Sequence, residues 1–204
     1  MTPAKRAVDL VLALVLVAIL ALPFGALVVV LWLRAGRPVF HVAERMRAPG
    51  RPFRLWKLRT MSVVPPEAGV SGGDKAGRIT ATGRFLRRSR LDEVPQLWNV
   101  LRGDMSFVGP RPPLRRYVER FPALYAQVLL NRPGITGLAT LTFHRHEEAL
   151  LARCSTAEQT DAVYSRRCVP RKARIDLIYQ RRRTVWLDLA LMWRTFARAV
   201  KLAK

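Results

Sequence analysis

The sequence predicts a mainly α-helical protein with a small β-hairpin that is attached to a membrane. Three observations carry this prediction: a long apolar run near the start, an alternating segment after it, and helical periodicity through most of the remainder. The 204 residues suffice for one compact domain and an appendage. We therefore expect a membrane helix at residues 1–35 and a single domain at residues 36–204.

The apolar run extends from Leu10 to Leu33, about 24 residues without a charge, which is long enough to span a bilayer as a helix. A signal peptide is disfavoured, because the run is longer than a usual signal core and no small-x-small cleavage site follows it. Basic residues flank the run on both sides, so neither flank has the composition of a translocated segment. These residues are Lys5 and Arg6 before the run and Arg34, Arg37, Arg45 and Arg47 after it.

Pro23 divides the apolar run into two arms, each about half the length that a full crossing needs. A kink at Pro23 would return the chain to its own side as a re-entrant helix, which would agree with the basic flanks. The other interpretation is a spanning helix that Pro23 merely bends, which membranes tolerate. The residues alone leave both topologies open.

The segment from Pro38 to Thr60 predicts a β-hairpin. Apolar residues alternate on each side of the turn sequence Ala48-Pro49-Gly50, with Phe40 and Val42 before it and Phe53 and Leu55 after it. The next segment, Val63 to Lys75, is rich in proline and glycine and has no sustained period, which indicates a mobile loop.

One or two helices are expected in "ITATGRFLRRSRLDEVPQLWNVL", which contains the acidic pair Asp92 and Glu93. If the chain is helical there, the two side chains are about 100° apart and can both point into a cleft. Pro95 would loosen the backbone beside them, because it removes a helical hydrogen bond. Adjacent carboxylates raise each other's pKa unless Mg²⁺ or arginines offset their charge. The other interpretation is a surface pair in ordinary salt bridges with Arg87 and Arg90.

The C-terminal segment predicts an amphipathic surface helix. Its apolar residues recur at helical spacing, and basic residues occupy the other faces. Tryptophan and arginine on such a helix suit the headgroup boundary of an anionic membrane. A helix packed on the protein core is the alternative, and both can hold in part. The apolar positions are Val185, Leu189, Met192, Trp193, Phe196 and Val200.

The charge balance indicates an anionic partner. The 36 lysines and arginines exceed the 14 acidic residues and give a net charge of +22. Nucleic acid is disfavoured, because the arginines are spread among apolar positions instead of gathered in one run with interleaved aromatic residues. An anionic membrane or a phosphorylated substrate remains. Cys154 and Cys168 have no metal-ligand spacing around them, which suits a reducing compartment and gives no sign of a disulfide framework.

The string "RITATGRFLRRSRLDEVPQLWNVLRGDMSFVGPRP", with "GRPFRLWKLRTM" before it and "RPGITGLA" after it, closely resembles the bacterial sugar transferase family, the monotopic phosphoglycosyl transferases. The resemblance covers nearly the whole chain, from "KRAVDLVLALVL" to "WLDLALMWRTF". It implies an enzyme on the cytoplasmic face of the bacterial inner membrane, with a re-entrant N-terminal helix. Its implied reaction transfers a sugar phosphate from a nucleotide diphosphate sugar, usually UDP-linked, to polyprenyl phosphate, which begins exopolysaccharide or other glycoconjugate synthesis.

The same resemblance assigns roles to individual residues. Asp92 would be the nucleophile that forms a phosphosugar-aspartyl intermediate, and Glu93 its companion, with Mg²⁺ bound by the pair. Arg111 would bind phosphate, and the prolines on both sides of it in "GPRP" limit its backbone freedom. Further phosphate contacts would come from Lys57, Arg59, Thr60, Arg78 and Arg84.

Two matters stay open at this stage. The chain departs from the usual family pattern after "GLA", so the resemblance does not imply which sugar is used, and His144 and His146 in this part have no assigned role. A homodimer is also left open. The competing hypothesis is a membrane-anchored basic protein that binds a polyanion without catalysis, which explains the charge but not the acidic pair.

Overall fold

The structure, a computed structural model, describes residues 1–63 and 77–203. The predicted loop at Val63–Lys75 lies outside the described residues except for Val63. Helices account for most of the described chain, as predicted. In chain order the elements are α1 (Pro3–Ala35), β1 (Phe40–Ala48), β2 (Arg51–Leu58), α2 (Ala81–Ser89), α3 (Gln96–Arg102), β3 (Ser106–Val108), α4 (Arg115–Arg120), α5 (Pro122–Val128), β4 (Gly134–Thr136), α6 (Leu138–Leu151), α7 (Ala157–Val163), α8 (Val169–Arg182) and α9 (Val185–Ala203).

Helix α1 is 33 residues long, which corresponds to about 50 Å if it is straight. The Thr2 hydroxyl caps its N-terminus by accepting a hydrogen bond from the Lys5 backbone N–H, and Gly36 ends it with a φ of 65°. Pro23 lies inside the helix, which is helical on both sides of it. Within the described ranges, α1 is the one helix long and apolar enough to cross a membrane. Its re-entrant course stays a prediction, as does the division of the chain after residue 35.

Both ends of α1 are fastened to the same compact body. Near the start, the Lys5 ammonium forms a buried ion pair with Asp188 of α9, at 2.5 Å. The neighbouring Arg6 guanidinium donates two hydrogen bonds to carbonyls in the last turn of α3. At the other end, the Arg59 guanidinium donates to the Ala35 carbonyl at 2.5 Å. The charged residues before the apolar run, Lys5 and Arg6, therefore bind the protein itself.

The predicted hairpin is confirmed. Strands β1 and β2 pair antiparallel, with Phe40 opposite Leu58, and the turn between them contains Gly50 with a φ of 68°. The left-handed conformation at this position suits glycine, which has no Cβ. Phe53 and Leu55 on β2 are buried, and they pack in the same core cluster as β3 and α9.

A continuous helix from Arg90 to Leu101 is not observed. Helix α2 ends where Arg90 adopts the left-handed conformation, with a φ of 61°. Residues Leu91–Glu93 then form a single 3₁₀ turn, and α3 begins at Gln96, directly after Pro95. The reversal at Arg90 and the missing N–H of Pro95 explain why the helical periodicity does not become one helix. The acidic pair therefore lies on a turn between two helices.

Strands β3 and β4 form a second ladder that the sequence analysis did not predict. They pair in parallel, with Ser106 opposite Gly134 and Val108 opposite Thr136. Each strand has only three residues, so neither has enough length for a periodic signal. The ladder joins the segment that follows α3 to the segment that precedes α6.

Helix α9 has two apolar faces, so both interpretations of its pattern hold in part. One face packs in the core, where Leu191 is buried together with the partly buried Leu187 and Met192. The other face carries an exposed stripe that no described residue covers: Trp186, Leu189, Trp193, Phe196 and Val200. A helix with this stripe is suited to lie on a membrane.

Candidate active site

The 3₁₀ turn buries both members of the acidic pair. Asp92 is 7% exposed and Glu93 is 6% exposed, although charged residues are seldom this buried without a partner. A surface pair in solvent-exposed salt bridges is therefore not what the structure contains. The surroundings of the two carboxylates differ sharply.

Three cations surround the Glu93 carboxylate. The Lys57 ammonium on β2 donates to it at 2.8 Å, the Arg90 guanidinium lies 2.5 Å away, and the Arg111 guanidinium lies 3.7 Å away. Burial by itself would raise the pKa of Glu93, but the charges of Lys57, Arg90 and Arg111 outweigh it and lower the pKa to about 2. Glu93 is therefore an anion at neutral pH and holds three cations together.

The Asp92 carboxylate makes no hydrogen bond or ion pair with any residue that the structure describes. Burial raises its pKa above the ordinary value, and the negative charge of Glu93 adds to this increase while Lys57 opposes it. A more basic carboxylate is a better nucleophile when ionised. The pair is therefore asymmetric: Glu93 is bound by three cations, whereas the Asp92 carboxylate has no such partner among the described residues.

Asn99 holds the strand that carries Lys57 against the helix that follows Glu93. Its side chain, 1% exposed, donates to the Arg54 carbonyl at 2.7 Å and accepts from the Trp56 backbone N–H at 3.2 Å. One amide thus satisfies two backbone groups of β2. The sequence analysis missed this contact, because an asparagine in a short helix gives no signal of a partner 45 residues away.

The loop that carries Arg111 is fixed by the parallel ladder. The Gly109 N–H donates to the Thr136 carbonyl at 2.9 Å, and the Gly134 N–H donates to the Pro110 carbonyl at 2.8 Å. A Cβ on Gly134 would lie only 2.2 Å from the Gly109 nitrogen. Glycine is therefore required at residue 134 by close backbone approach, and this approach places Arg111 beside Glu93.

We expect Gly134→Ala to destabilise the protein by about 2–3 kcal/mol, because the new methyl group must displace backbone atoms. The midpoint of thermal unfolding in detergent measures the effect. Gly25→Ala is the control, since a Cβ at Gly25 has no neighbour within 4 Å. An unchanged midpoint for Gly134→Ala would mean that the two segments separate easily and do not fix Arg111.

The remaining predicted site residues make the following hydrogen bonds to groups other than the acidic pair. Thr60 is buried and accepts a hydrogen bond from the Arg87 guanidinium at 2.9 Å. The Arg78 carbonyl accepts from the Ser62 N–H at 3.0 Å, which ties Arg78 to the segment after β2. The structure does not bring Arg59 or Arg84 to Glu93: Arg59 binds the end of α1, and Arg84 donates to the Ile79 carbonyl. Their contacts with phosphate stay predictions.

Arg90 is a site residue that the sequence analysis considered only as a surface partner. Its left-handed backbone would normally favour glycine, yet its guanidinium contacts both Glu93 and the Ile135 carbonyl beside β4. The spacing of three residues between Arg90 and Glu93 was a usable signal. The left-handed backbone of Arg90, which makes these contacts possible, could not be predicted from the residue spacing.

The acidic pair can supply part of the ligand set of the predicted Mg²⁺. No group of three or more His, Cys, Asp or Glu side chains that could hold a metal occurs in the ranges 1–63 and 77–203. Mg²⁺ keeps several waters and needs only one or two carboxylates when a substrate supplies phosphate oxygens. The unpaired carboxylate of Asp92, with Glu93 next to it, can supply this share of the ligands.

This geometry defines a class of protein: a domain with a long apolar helix and a buried carboxylate that has no partner among the described residues and lies near cations suited to phosphate oxygens. The sequence profile of the bacterial sugar transferase family matches residues 1–202. The chain belongs to this family.

Two relatives with assigned names cover different shares of this chain. The UDP-glucose:undecaprenyl-phosphate glucose-1-phosphate transferase of Escherichia coli is 32% identical over 195 residues, which cover 94% of this chain and 39% of that protein. A putative undecaprenyl-phosphate N-acetylgalactosaminyl 1-phosphate transferase of Bacillus subtilis is 42% identical over 119 residues, 57% of this chain and 66% of that protein. The chain therefore spans about two fifths of the first relative and about two thirds of the second.

Proposed function

We propose that the chain transfers a sugar phosphate from a UDP-sugar to undecaprenyl phosphate or a similar polyprenyl phosphate. The observation that carries the proposal is the asymmetric acidic pair, with Asp92 unpaired and Glu93 bound by three cations. The family and the names of its relatives support the substrate classes. The product would begin exopolysaccharide or other glycoconjugate synthesis at the cytoplasmic face of the inner membrane.

In the first step, a carboxylate oxygen of Asp92 forms a bond to the phosphorus that carries the sugar. The bond from this phosphorus to the bridging oxygen breaks, and its electron pair leaves on uridine monophosphate. In the second step, a phosphate oxygen of the polyprenyl phosphate attacks the same phosphorus. The bond to Asp92 then breaks and the carboxylate is regenerated, so that charge and atoms balance.

Each step brings two negatively charged groups together, and their repulsion opposes the reaction. The nearby cations therefore have a large effect on the rate. Arg111 and Lys57 offer N–H donors to the phosphate oxygens, and their charges reduce the repulsion between Asp92 and the substrate. Glu93 keeps these cations at fixed positions at low reorganisation cost. Bound Mg²⁺, held by Asp92 and Glu93, would neutralise diphosphate charge.

The direct test uses detergent-solubilised protein with a panel of UDP-sugars, with and without polyprenyl phosphate. We expect uridine monophosphate release with at least one sugar. Without the acceptor, we expect release limited to one equivalent and a mass increase of one phosphosugar on the peptide that contains Asp92. No release across the whole panel would contradict the proposal and favour the non-catalytic polyanion-binding protein.

We expect Arg111→Lys to lower kcat/KM by roughly ten- to a hundredfold, which corresponds to ~1.4–2.8 kcal/mol. Lysine keeps the charge but loses the planar fork that can bind two phosphate oxygens. Initial rates of uridine monophosphate release measure the effect. Arg115→Lys is the matched control, since Arg115 pairs with Glu44 on the surface. Wild-type kinetics for Arg111→Lys would place the Arg111 side chain away from the phosphates.

We also propose that α1 is re-entrant, with both of its ends on the cytoplasmic side. The contacts of Lys5 with Asp188 and of Ala35 with Arg59 support this topology, because both ends of the helix contact one body. A straight helix of about 50 Å across a bilayer would put its ends on opposite sides. Pro23 lies between the two fastened ends, where the missing N–H makes bending least costly.

Single cysteines at Thr2 and Ala35, in a variant without Cys154 and Cys168, test the topology. We expect a membrane-impermeant thiol reagent to label neither position in intact cells and to label both after the cells are opened. The opened cells are the control for reactivity. Labelling at Thr2 alone in intact cells would instead establish a straight span with an external N-terminus, and Pro23 would be only a bend.

A further inference from the structure

His41 lies beside the cations of the candidate active site. On the hairpin, His41 is the cross-strand partner of Lys57, whose ammonium donates to the Glu93 carboxylate at 2.8 Å. Directly opposed residues of an antiparallel pair project from the same face, with their Cβ atoms about 4.5–5.5 Å apart. The His41 imidazole therefore neighbours the Lys57 side chain that contacts the acidic pair.

The two faces of the hairpin have different surroundings, which fixes the side on which His41 lies. The face that carries His41 also carries Leu55, which is buried in one cluster with Leu97 of α3. The opposite face carries Leu58, which packs with Leu31 of α1 in a different cluster. Because α3 directly follows the acidic turn, His41 is on the side of the candidate active site.

The His41 imidazole is available to a ligand. It is exposed to solvent and makes no hydrogen bond or ion pair with any residue that the structure describes. Partial burial and the positive charges of Arg45 and Lys57 lower the pKa of His41 below its usual value. At neutral pH the ring is therefore uncharged and offers one N–H donor, next to the positive charge of Lys57.

The same end of the hairpin contacts the end of α1. The Arg59 N–H donates to the Val39 carbonyl at 2.8 Å, and the Arg59 guanidinium donates to the Ala35 carbonyl. Val39 precedes His41 by two positions, a distance of about 7 Å along the strand. The apolar run ends at Leu33, so Ala35 lies at headgroup depth in the proposed topology. His41 is therefore close both to the acidic pair and to the membrane surface.

We propose that the His41 N–H donates a hydrogen bond to the phosphate of the polyprenyl acceptor and so positions it for attack in the second step. This inference rests on the proposed function. A polyprenyl chain stays in the bilayer, so its phosphate reaches Asp92 across the membrane edge of the domain, whereas the UDP-sugar arrives from water. The bonds formed and broken are those of the second step, and His41 keeps its N–H proton throughout.

The two half-reactions test this role separately in the detergent-solubilised full chain. The protein is loaded with phosphosugar by the UDP-sugar that gives uridine monophosphate release, and polyprenyl phosphate is then added at a series of concentrations. We expect His41→Ala to form the adduct at the wild-type rate but to need about tenfold more acceptor for half-maximal loss of the adduct. His41→Gln keeps an N–H donor and should recover part of this loss. His146→Ala is the matched control, because His146 contacts Arg171, and it should behave as wild type does.

A wild-type acceptor dependence in His41→Ala would overturn the proposal, as would an equal change in His146→Ala. Slower adduct formation or a higher KM for the UDP-sugar in His41→Ala would place His41 at the donor and overturn the assignment to the acceptor. If His41→Gln is impaired as much as His41→Ala, hydrogen bonding is not the role of His41. Absence of uridine monophosphate release by wild type would overturn the proposed function as well, so the two failures are distinguishable.

Discussion

Asp92→Asn is expected to abolish uridine monophosphate release while the protein stays folded and bound to the membrane. The amide has nearly the size of the carboxylate but cannot act as the nucleophile, so turnover should fall by at least roughly a thousandfold. Folding should be unaffected or slightly improved. The reason is that the variant removes a buried charge that has no ion-pair partner in the described chain and whose pKa is raised by burial.

The assay for Asp92→Asn is release of uridine monophosphate together with the mass of the peptide that carries residue 92, which also detects deamidation back to aspartate. Asp104→Asn is the control, because Asp104 makes only long ion pairs of 3.7 and 3.8 Å, with Arg47 and Arg102. It should retain near wild-type turnover. If Asp92→Asn keeps more than a few per cent of activity without deamidation, Asp92 is not the nucleophile.

Glu93→Gln is expected to have the second largest effect, on stability as well as on activity. The change leaves Lys57, Arg90 and Arg111 without their shared counter-charge, and breaking a buried ion pair costs roughly 3–5 kcal/mol. Activity should also fall severely, because the cations would no longer be held beside Asp92. Glu44→Gln is the control: Glu44 is exposed and its pair with Arg115 should contribute less than about 1 kcal/mol.

The pH dependence of stability gives an independent measurement of Glu93. Its folded-state pKa, about 2, is below the ordinary value of 4.5, so Glu93 binds its proton less readily in the folded protein. Its contribution is complete above pH 4.5 and is lost as the pH falls from 4.5 towards about 2. This shift corresponds to about 3 kcal/mol. Unfolding midpoints measured over this window should therefore fall more steeply for wild type than for Glu93→Gln, and parallel curves would contradict the role of Glu93.

The features that the sequence predicted correctly depend on local patterns. The hairpin follows from alternation around Pro49-Gly50, and α1 follows from an unbroken apolar run. The acidic pair was found because Asp92 and Glu93 are adjacent in the chain. Lys57 and Arg111 were placed near it only through the family resemblance, and the structure brings both to Glu93.

The features that were missed depend on contacts between distant segments. The pairing of β3 with β4 and the hydrogen bonds of Asn99 join residues dozens of positions apart, which leaves no periodic trace. The one or two helices expected around the acidic pair are observed as α2 and α3. The position of the break between them was not predicted, because arginine rarely adopts a left-handed backbone and the residue type of Arg90 gave no warning.

The contact between Lys5 and Asp188 has a consequence for the order of assembly. The two residues are 183 positions apart, and the ribosome adds about 5–20 residues per second, so Lys5 waits roughly 10–40 s for its partner. During this interval the apolar segment of α1 has already been made, while α9 has not. In the proposed topology, α1 therefore enters the bilayer before the helix that contacts its start has been synthesised. The domain that is synthesised later then packs against α1, which has already formed. The contact between Lys5 and Asp188 is therefore among the last contacts to form.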